Sequence, residues 1–285
     1  MTLLTDTLVA LLWVGGAILL VLAVHVAARR LMPRPTQPDE DGHVYSGVVR
    51  DMASATGFRI AAFYGVILAL VYAHELGEYQ TVRDGLAGEA TAIADVFHDA
   101  ARYGAPVAAP VQQAMATYVR FVVEREWDLL GEERRLSNRA WAARDVAYDT
   151  LLDAEAATPR QVALRQHMLK RINDITEYRH MRQEVAAKDF GMVFWVPAIV
   201  GLILVTIPFY VYPPGRVTHV LLSCFGAFAG LILFFIQGFA SPFTPPFRTP
   251  PGAFVRLLET DIGASPVLPR AEIERRAAAY RGTRP

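Results

Sequence analysis

The chain has 285 residues, 53% of them hydrophobic, with 28 basic and 28 acidic side chains and a formal net charge of zero. That balance lacks the basic excess that nucleic-acid binding leaves in a composition, so no nucleic-acid partner is expected. With one cysteine, Cys224, the sequence holds neither an intrachain disulfide nor a thiolate metal cluster.

Four apolar stretches set the class: Leu8–Ala28, Gly57–Ala73, Phe190–Tyr212 and Val217–Ala240. About 20 helical residues cross a ~30 Å hydrocarbon layer, and lipid offers the backbone no hydrogen-bond partner, so such stretches span as helices. The expectation is an integral membrane protein of all-α class. It has four transmembrane helices, with a bundle of about four helices inserted between spans two and three. No Lys or Arg precedes Arg29. The first run also exceeds the ~7–15 apolar residues of a secretory signal, so it reads as a retained span. Arg29 and Arg30 follow it and can snorkel to the interface.

Span two is the unusual one. Arg59 stands near its start, and His74 and Glu75 close it. An Arg in mid-bilayer costs at least ~2.5–3.5 kcal/mol on insertion scales, a cost largely avoided where one side meets protein and water. Ile60, Phe63, Ile67, Leu70 and His74 follow a 3-4-3-4 spacing, which keeps one stripe facing a bundle axis. Arg59 and these five residues are the pore-lining candidates. Ordinary packing within one protomer gives the same spacing. Span three contains Pro197 and Pro208, two candidate kinks. Span four carries Gly226 and Gly230, a GxxxG pair that permits close helix approach.

Residues 77–189 read as four helices. Their stripes are Val82, Leu86, Ile93 and Phe97; then Val111, Met115, Tyr118, Val122 and Leu129; then Trp141, Leu151 and Leu152 after an N-cap at Ser137. The last is Met168, Ile172 and Ile175 after Thr158 and Pro159, a strong helix start. Breaks are expected at 103–106, at Gly131 and at 157–159, and the last helix is expected to run through Lys188 and Asp189 into span three. The chain thus divides into 1–76 (two spans), 77–189 (soluble bundle), 190–240 (two spans) and 241–285, a Pro- and Arg-rich tail. Prolines 242, 245, 246, 250 and 251 stop span four. A short helix at Phe254–Leu258 and a loosely ordered end with Arg275, Arg276, Arg281 and Arg284 are expected to follow.

Glu177 and His180 have the ExxH spacing of a metal-binding helix face, and Asp95 and His98 a DxxH. Solvated salt-bridging faces account for both, and neither a metal nor another cofactor is expected. There is no Walker loop, no GxGxxG and no GxSxG, so the chain does not read as an enzyme. For orientation, Arg29 and Arg30 favour an inside first loop. Lys170, Arg171, Arg179, Arg182 and Lys188 before span three, with Arg248 and Arg256 after span four, favour the opposite and outnumber them. The termini and the bundle are therefore expected on the cytoplasmic side.

Several short motifs recur in a recognisable order. They are Arg29-Arg30-Leu31-Met32-Pro33 after span one, Tyr64-Gly65-Val66-Ile67-Leu68-Ala69 in span two, Val82-Arg83, Glu89-Ala90, Tyr118, Glu126-Trp127, Trp195, and Pro242-Phe243 after span four. In this the chain resembles the bestrophin-like family of bacterial and plant membrane proteins, a family distantly related to bestrophin anion channels. It departs from that pattern at Ala240-Ser241, where an acidic residue is usual before Pro-Phe. The resemblance implies a bacterial inner-membrane protein that self-associates. Bestrophins are homopentamers whose second span lines an anion pore with an apolar neck. It further implies that Phe63 and Ile67 form a dewetting constriction, that Arg59 holds anions at one mouth, and that His74 adds a pH-sensitive charge. The rival reading is a non-conducting scaffold or sensor subunit of a membrane complex.

Overall fold

Helix α1 (Thr2–Leu31) opens a computed structural model that describes residues 2–32, 47–188 and 191–280. Pro33, Asp189, Phe190, Arg281 and Arg284 lie outside the described residues. Ten further helices follow: α2 (Gly47–Tyr103), α3 (Ala108–Phe121), α4 (Trp127–Glu133), α5 (Asn138–Leu152), α6 (Pro159–Ala187), α7 (Met192–Thr206), α8 (Arg216–Ala240), α9 (Gly252–Leu258), α10 (Asp261–Ala264) and α11 (Arg270–Ala279). There is no strand among the described residues. Among the described residues four helices are long and apolar enough to cross a membrane, in the order expected, and the protein is a membrane protein of all-α class.

The chain folds as two compact units, one of residues 1–78 and 189–240, the other of 79–188 and 241–285. In the first unit α8 lies antiparallel on α1. A Cβ on Gly226 would stand 2.9 Å from the Ile18 Cα, and one on Gly230 would stand 2.9 Å from the Trp13 carbonyl oxygen. The GxxxG pair thus removes the side chains that would hold two backbones apart. The apolar part of α2 approaches α7 differently, through a large side chain. The Tyr64 ring lies over Gly201, and its hydroxyl donates to the Ala198 carbonyl at 3.0 Å. Pro197 sits within α7, whereas Pro208 accompanies a change to a 3-10 turn, Ile207–Val211. Arg29 donates from Nη1 to the carbonyls of Tyr210 and Tyr212, so its charge tops the end of that turn. A buried cluster including Ala17, Val21, Tyr64, Leu68, Leu202 and Leu233 holds the four helices together.

The second unit is built on the stripes read from the sequence, with informative slips. Val82, Leu86, Ile93 and Phe97 are buried, as are Val111, Met115, Tyr118 and Val122. Between α3 and α4 the helix widens to a π-turn at Val122–Glu126. One extra residue per turn shifts the register, so Leu130 is buried where the stripe pointed to Leu129. Gly131 does not break the helix, which runs to Glu133 and stops at left-handed Arg134 (φ 52°). Its missing Cβ instead admits the Phe243 carbonyl, 2.8 Å from where a Cβ would be. Ser137 caps α5 through the Ala140 N–H at 3.4 Å. Thr158 and Gln161 form a reciprocal capping box at the start of α6. Leu151 is buried in α5 but Leu152 is not. Lys188 adopts extended backbone and ends α6, so that helix does not run into α7. The tail also differs from expectation. Ile273 and Ala277 of α11 are buried, Arg276 pairs with Asp149 at 2.6 Å, and Glu274 pairs with Arg139 at 2.6 Å.

Candidate functional site

Helix α2 carries the pore-lining candidates, and its apolar part presents three distinct faces. At 3.6 residues per turn, Gly57, Tyr64 and Leu68 fall together roughly 100–140° round from Phe63. That face is buried in the first unit. Phe63, Ile67, Leu70 and His74 form the second face and are exposed, Phe63 by 74% and Leu70 by 67%. Arg59 lies on the same side and is exposed. Ile60 is the exception within the stripe. It lies about 60° round from Phe63, toward the packed side, and is half-buried against the first unit's apolar cluster. The third face, on the other flank of Phe63, carries the small residues Ala62, Gly65, Ala69 and Ala73 with Phe58 and Val66 beside them, all exposed. Nothing stands within 4 Å of a Cβ built on Gly65.

At the end of the stripe the His74 Nε2 lies 3.0 Å from a Glu78 carboxylate oxygen. With Glu75 these residues place three ligand-type atoms within 4.8 Å of one another. One turn of helix gathers them, and an i, i+4 ion pair accounts for the contact. Glu177 and His180 are both exposed on α6, and no third acidic or imidazole ligand joins them among the described residues. Of the two residues between them, Arg179 turns the other way and is fully buried.

Arg179 belongs to a buried charge network in the second unit that sequence reasoning missed. Glu126 is its centre. Arg179 holds that carboxylate with both ends of its guanidinium, at 2.9 and 3.2 Å. Arg182 donates to it from Nη2, and the Ser137 N–H donates at 3.0 Å. Glu89 accepts from Arg182 at 3.4 Å and from the Tyr118 hydroxyl. Arg179 also donates to the Tyr118 oxygen at 3.0 Å. The two guanidinium groups lie over aromatic rings: Arg179 over Trp141 at 4.4 Å, Arg182 over Trp127 at 5.4 Å and Phe254 at 5.5 Å. Two carboxylates and two guanidiniums, all buried, balance in formal charge, and burial pushes the Glu89 carboxyl above the ordinary carboxylate range. Burial pushes the Tyr118 hydroxyl well above the ordinary tyrosine range, so it stays a hydrogen-bond donor. The π-turn, which ends at Glu126, lies in the stretch of chain that carries this carboxylate. A signal for the two arginines was present: Met168, Ile172 and Ile175 extrapolate at 4-3 spacing to Arg179 and Arg182.

The network draws on the short motifs that recur along the chain. Glu89, Tyr118 and Glu126 are its members. Trp127 packs against Phe243 at 6.1 Å and donates from its indole N–H to the Thr249 carbonyl at 2.5 Å. These residues are separated by up to 160 positions and meet in one core. No curated protein and no solved structure matches the chain. A family model, the Bestrophin-like domain, matches residues 15–254, which include both the exposed α2 stripe and this network, and the chain accordingly belongs to the bestrophin-like family.

Proposed function

We propose that the protein is an anion channel formed by several copies, a pentamer on the bestrophin pattern, with α2 lining the pore. The observation that carries this reading is the three-faced helix. A pore-lining helix in a ring of copies has three neighbours: its own protomer, the adjacent protomer and the axis. Gly57, Tyr64 and Leu68 serve the first. Ala62, Gly65, Ala69 and Ala73 suit close approach to a second helix, since small residues let membrane helices pack backbone to backbone. Phe63, Ile67 and Leu70 are left for the axis, where rings of apolar side chains gate by excluding water. Arg59 at the start of the stripe supplies fixed positive charge for anions, and His74 stands at its other end. Ile60 contributes to protomer packing more than to the pore.

The membrane is assigned as a bacterial inner membrane, with the second unit and both termini cytoplasmic. Lys170, Arg171, Lys188, Arg248 and Arg256 support that orientation. Arg179 and Arg182 carry less weight because buried carboxylates neutralise them. Planar-bilayer recording of the purified protein tests the channel. Anion-selective current is expected, with Phe63→Ala raising unitary conductance and Arg59→Ala lowering anion-over-cation selectivity. A silent monomer in every lipid tried would favour a scaffold or sensor subunit instead.

A further inference from the structure

A cavity of about 540 Å³ in the second unit lies between the Tyr79–Ala87 stretch of α2 and the chain around Thr249–Arg256. Two guanidinium groups, Arg83 and Arg256, line it. The unit pairs most of its arginines: Arg102 with Asp99, Arg139 with Glu274, Arg171 with Asp95, Arg248 with Asp128 and Arg276 with Asp149. Among the described residues the guanidinium groups of Arg83 and Arg256 have neither an ion-pair nor a hydrogen-bond partner, although Asp84 lines the same cavity. The second observation is Thr249. Its N–H donates to the Pro242 carbonyl at 2.7 Å and its carbonyl accepts from Trp127, so its backbone is held from both sides. The residue is only 3% exposed and lines the cavity, yet its hydroxyl is buried without a partner. Buried polar atoms in folded proteins are nearly always hydrogen-bonded, and an unmatched one calls for a partner.

We infer that this cavity is a binding site for a small oxyanion-bearing molecule, held by Arg83 and Arg256 and completed by the Thr249 hydroxyl. Guanidinium groups match the oxygens of phosphate and carboxylate in pairs. The hydroxyl supplies one further donor on a residue whose backbone is already held. The volume falls within the ordinary range of small-molecule pockets and exceeds the needs of a bare ion. Tyr79, Gln80 and Asp84 on the same wall suit hydroxyl or amino groups on the rest of the ligand. A glycerol phosphate has this chemistry, whether free in solution or as the headgroup of phosphatidylglycerol. The site shares no residue with the α2 stripe, so it stands or falls apart from the channel.

Two measurements on the full-length protein separate the sources. In neutral detergent, glycerol 3-phosphate is titrated calorimetrically at fixed ionic strength. In nanodiscs of equal phosphatidylcholine and phosphatidylglycerol, lipid retained per protein is counted by native mass spectrometry. Saturable heat of binding supports a soluble ligand, and selective retention of phosphatidylglycerol supports the headgroup. In either case Arg83→Gln with Arg256→Gln is expected to weaken binding roughly tenfold or more, and Thr249→Val about threefold to tenfold. Both arginines are exposed, so the double variant keeps the wild-type melting temperature. Absence of both signals in the wild type, or a signal unchanged in the double variant, would overturn the assignment.

Discussion

Glu126 shows how much one buried residue can organise. It accepts from Arg179, Arg182 and the Ser137 N–H, and Ser137 in turn caps α5. Removing one partner from such a pair leaves an uncompensated charge out of water, which costs about 3–5 kcal/mol. Glu126→Ala and Arg179→Ala are therefore each expected to lower the unfolding free energy of the second unit by that order. Chemical denaturation of the detergent-solubilised protein, followed by tryptophan fluorescence, reads this directly, since Trp127 and Trp141 sit against the two guanidinium groups. Denaturation curves that coincide with wild type would show the network to be dispensable. In the sequence these arginines read as orientation charges before span three. The stripe Met168, Ile172 and Ile175 pointed to their burial, but charge argued for solvent. What one chain could not disclose is that Glu126 and Glu89, over fifty residues upstream, come to meet them.

Among the elements, α8 is the most legible and α2 the least. A GxxxG pair in an apolar run says that something approaches closely, and here α1 does. Gly226→Leu would drive a side chain into the Ile18 backbone, 2.9 Å from the Cβ position. Overpacking of this kind costs about 1–3 kcal/mol, so the variant is expected to unfold at lower SDS fraction in mixed micelles, with Gly16→Leu on α1 as a milder control for the fold because nothing stands within 4 Å of its Cβ position. An equal shift for both would contradict the packing role. Along α2, Phe63, Ile67, Leu70 and His74 are exposed in the protomer, while Ile60 lies toward the packed flank. A 3-4 count does not say where a stripe ends and a packed flank begins. The π-turn at Val122–Glu126 is a harder case. A single wide turn leaves no mark in composition and displaces the stripe after it from Leu129 to Leu130. The tail misled for another reason. Its prolines and arginines read as solvated chain, while Ile273 and Ala277, too few to form a convincing stripe, were enough to seat α11.

For the molecule as a whole, the proposed channel rests on the exposed apolar side of α2. Phe63→Ala should leave assembly intact and change conduction, because Phe63 is unburied in the protomer and lies away from the small-residue flank. Ala69→Leu, on that flank, should do the reverse and reduce the oligomer measured by light scattering in detergent. The most direct test places a thiol on the stripe. In a Cys224→Ser background the only native thiol is gone. With Phe63→Cys in that background, a charged, membrane-impermeant methanethiosulfonate reagent should abolish most of the anion current. Leu12→Cys, which is 74% exposed on α1, should leave the current unchanged. An unaltered current after treatment of the Phe63→Cys protein, or block at Leu12→Cys alone, would contradict a pore lined by α2.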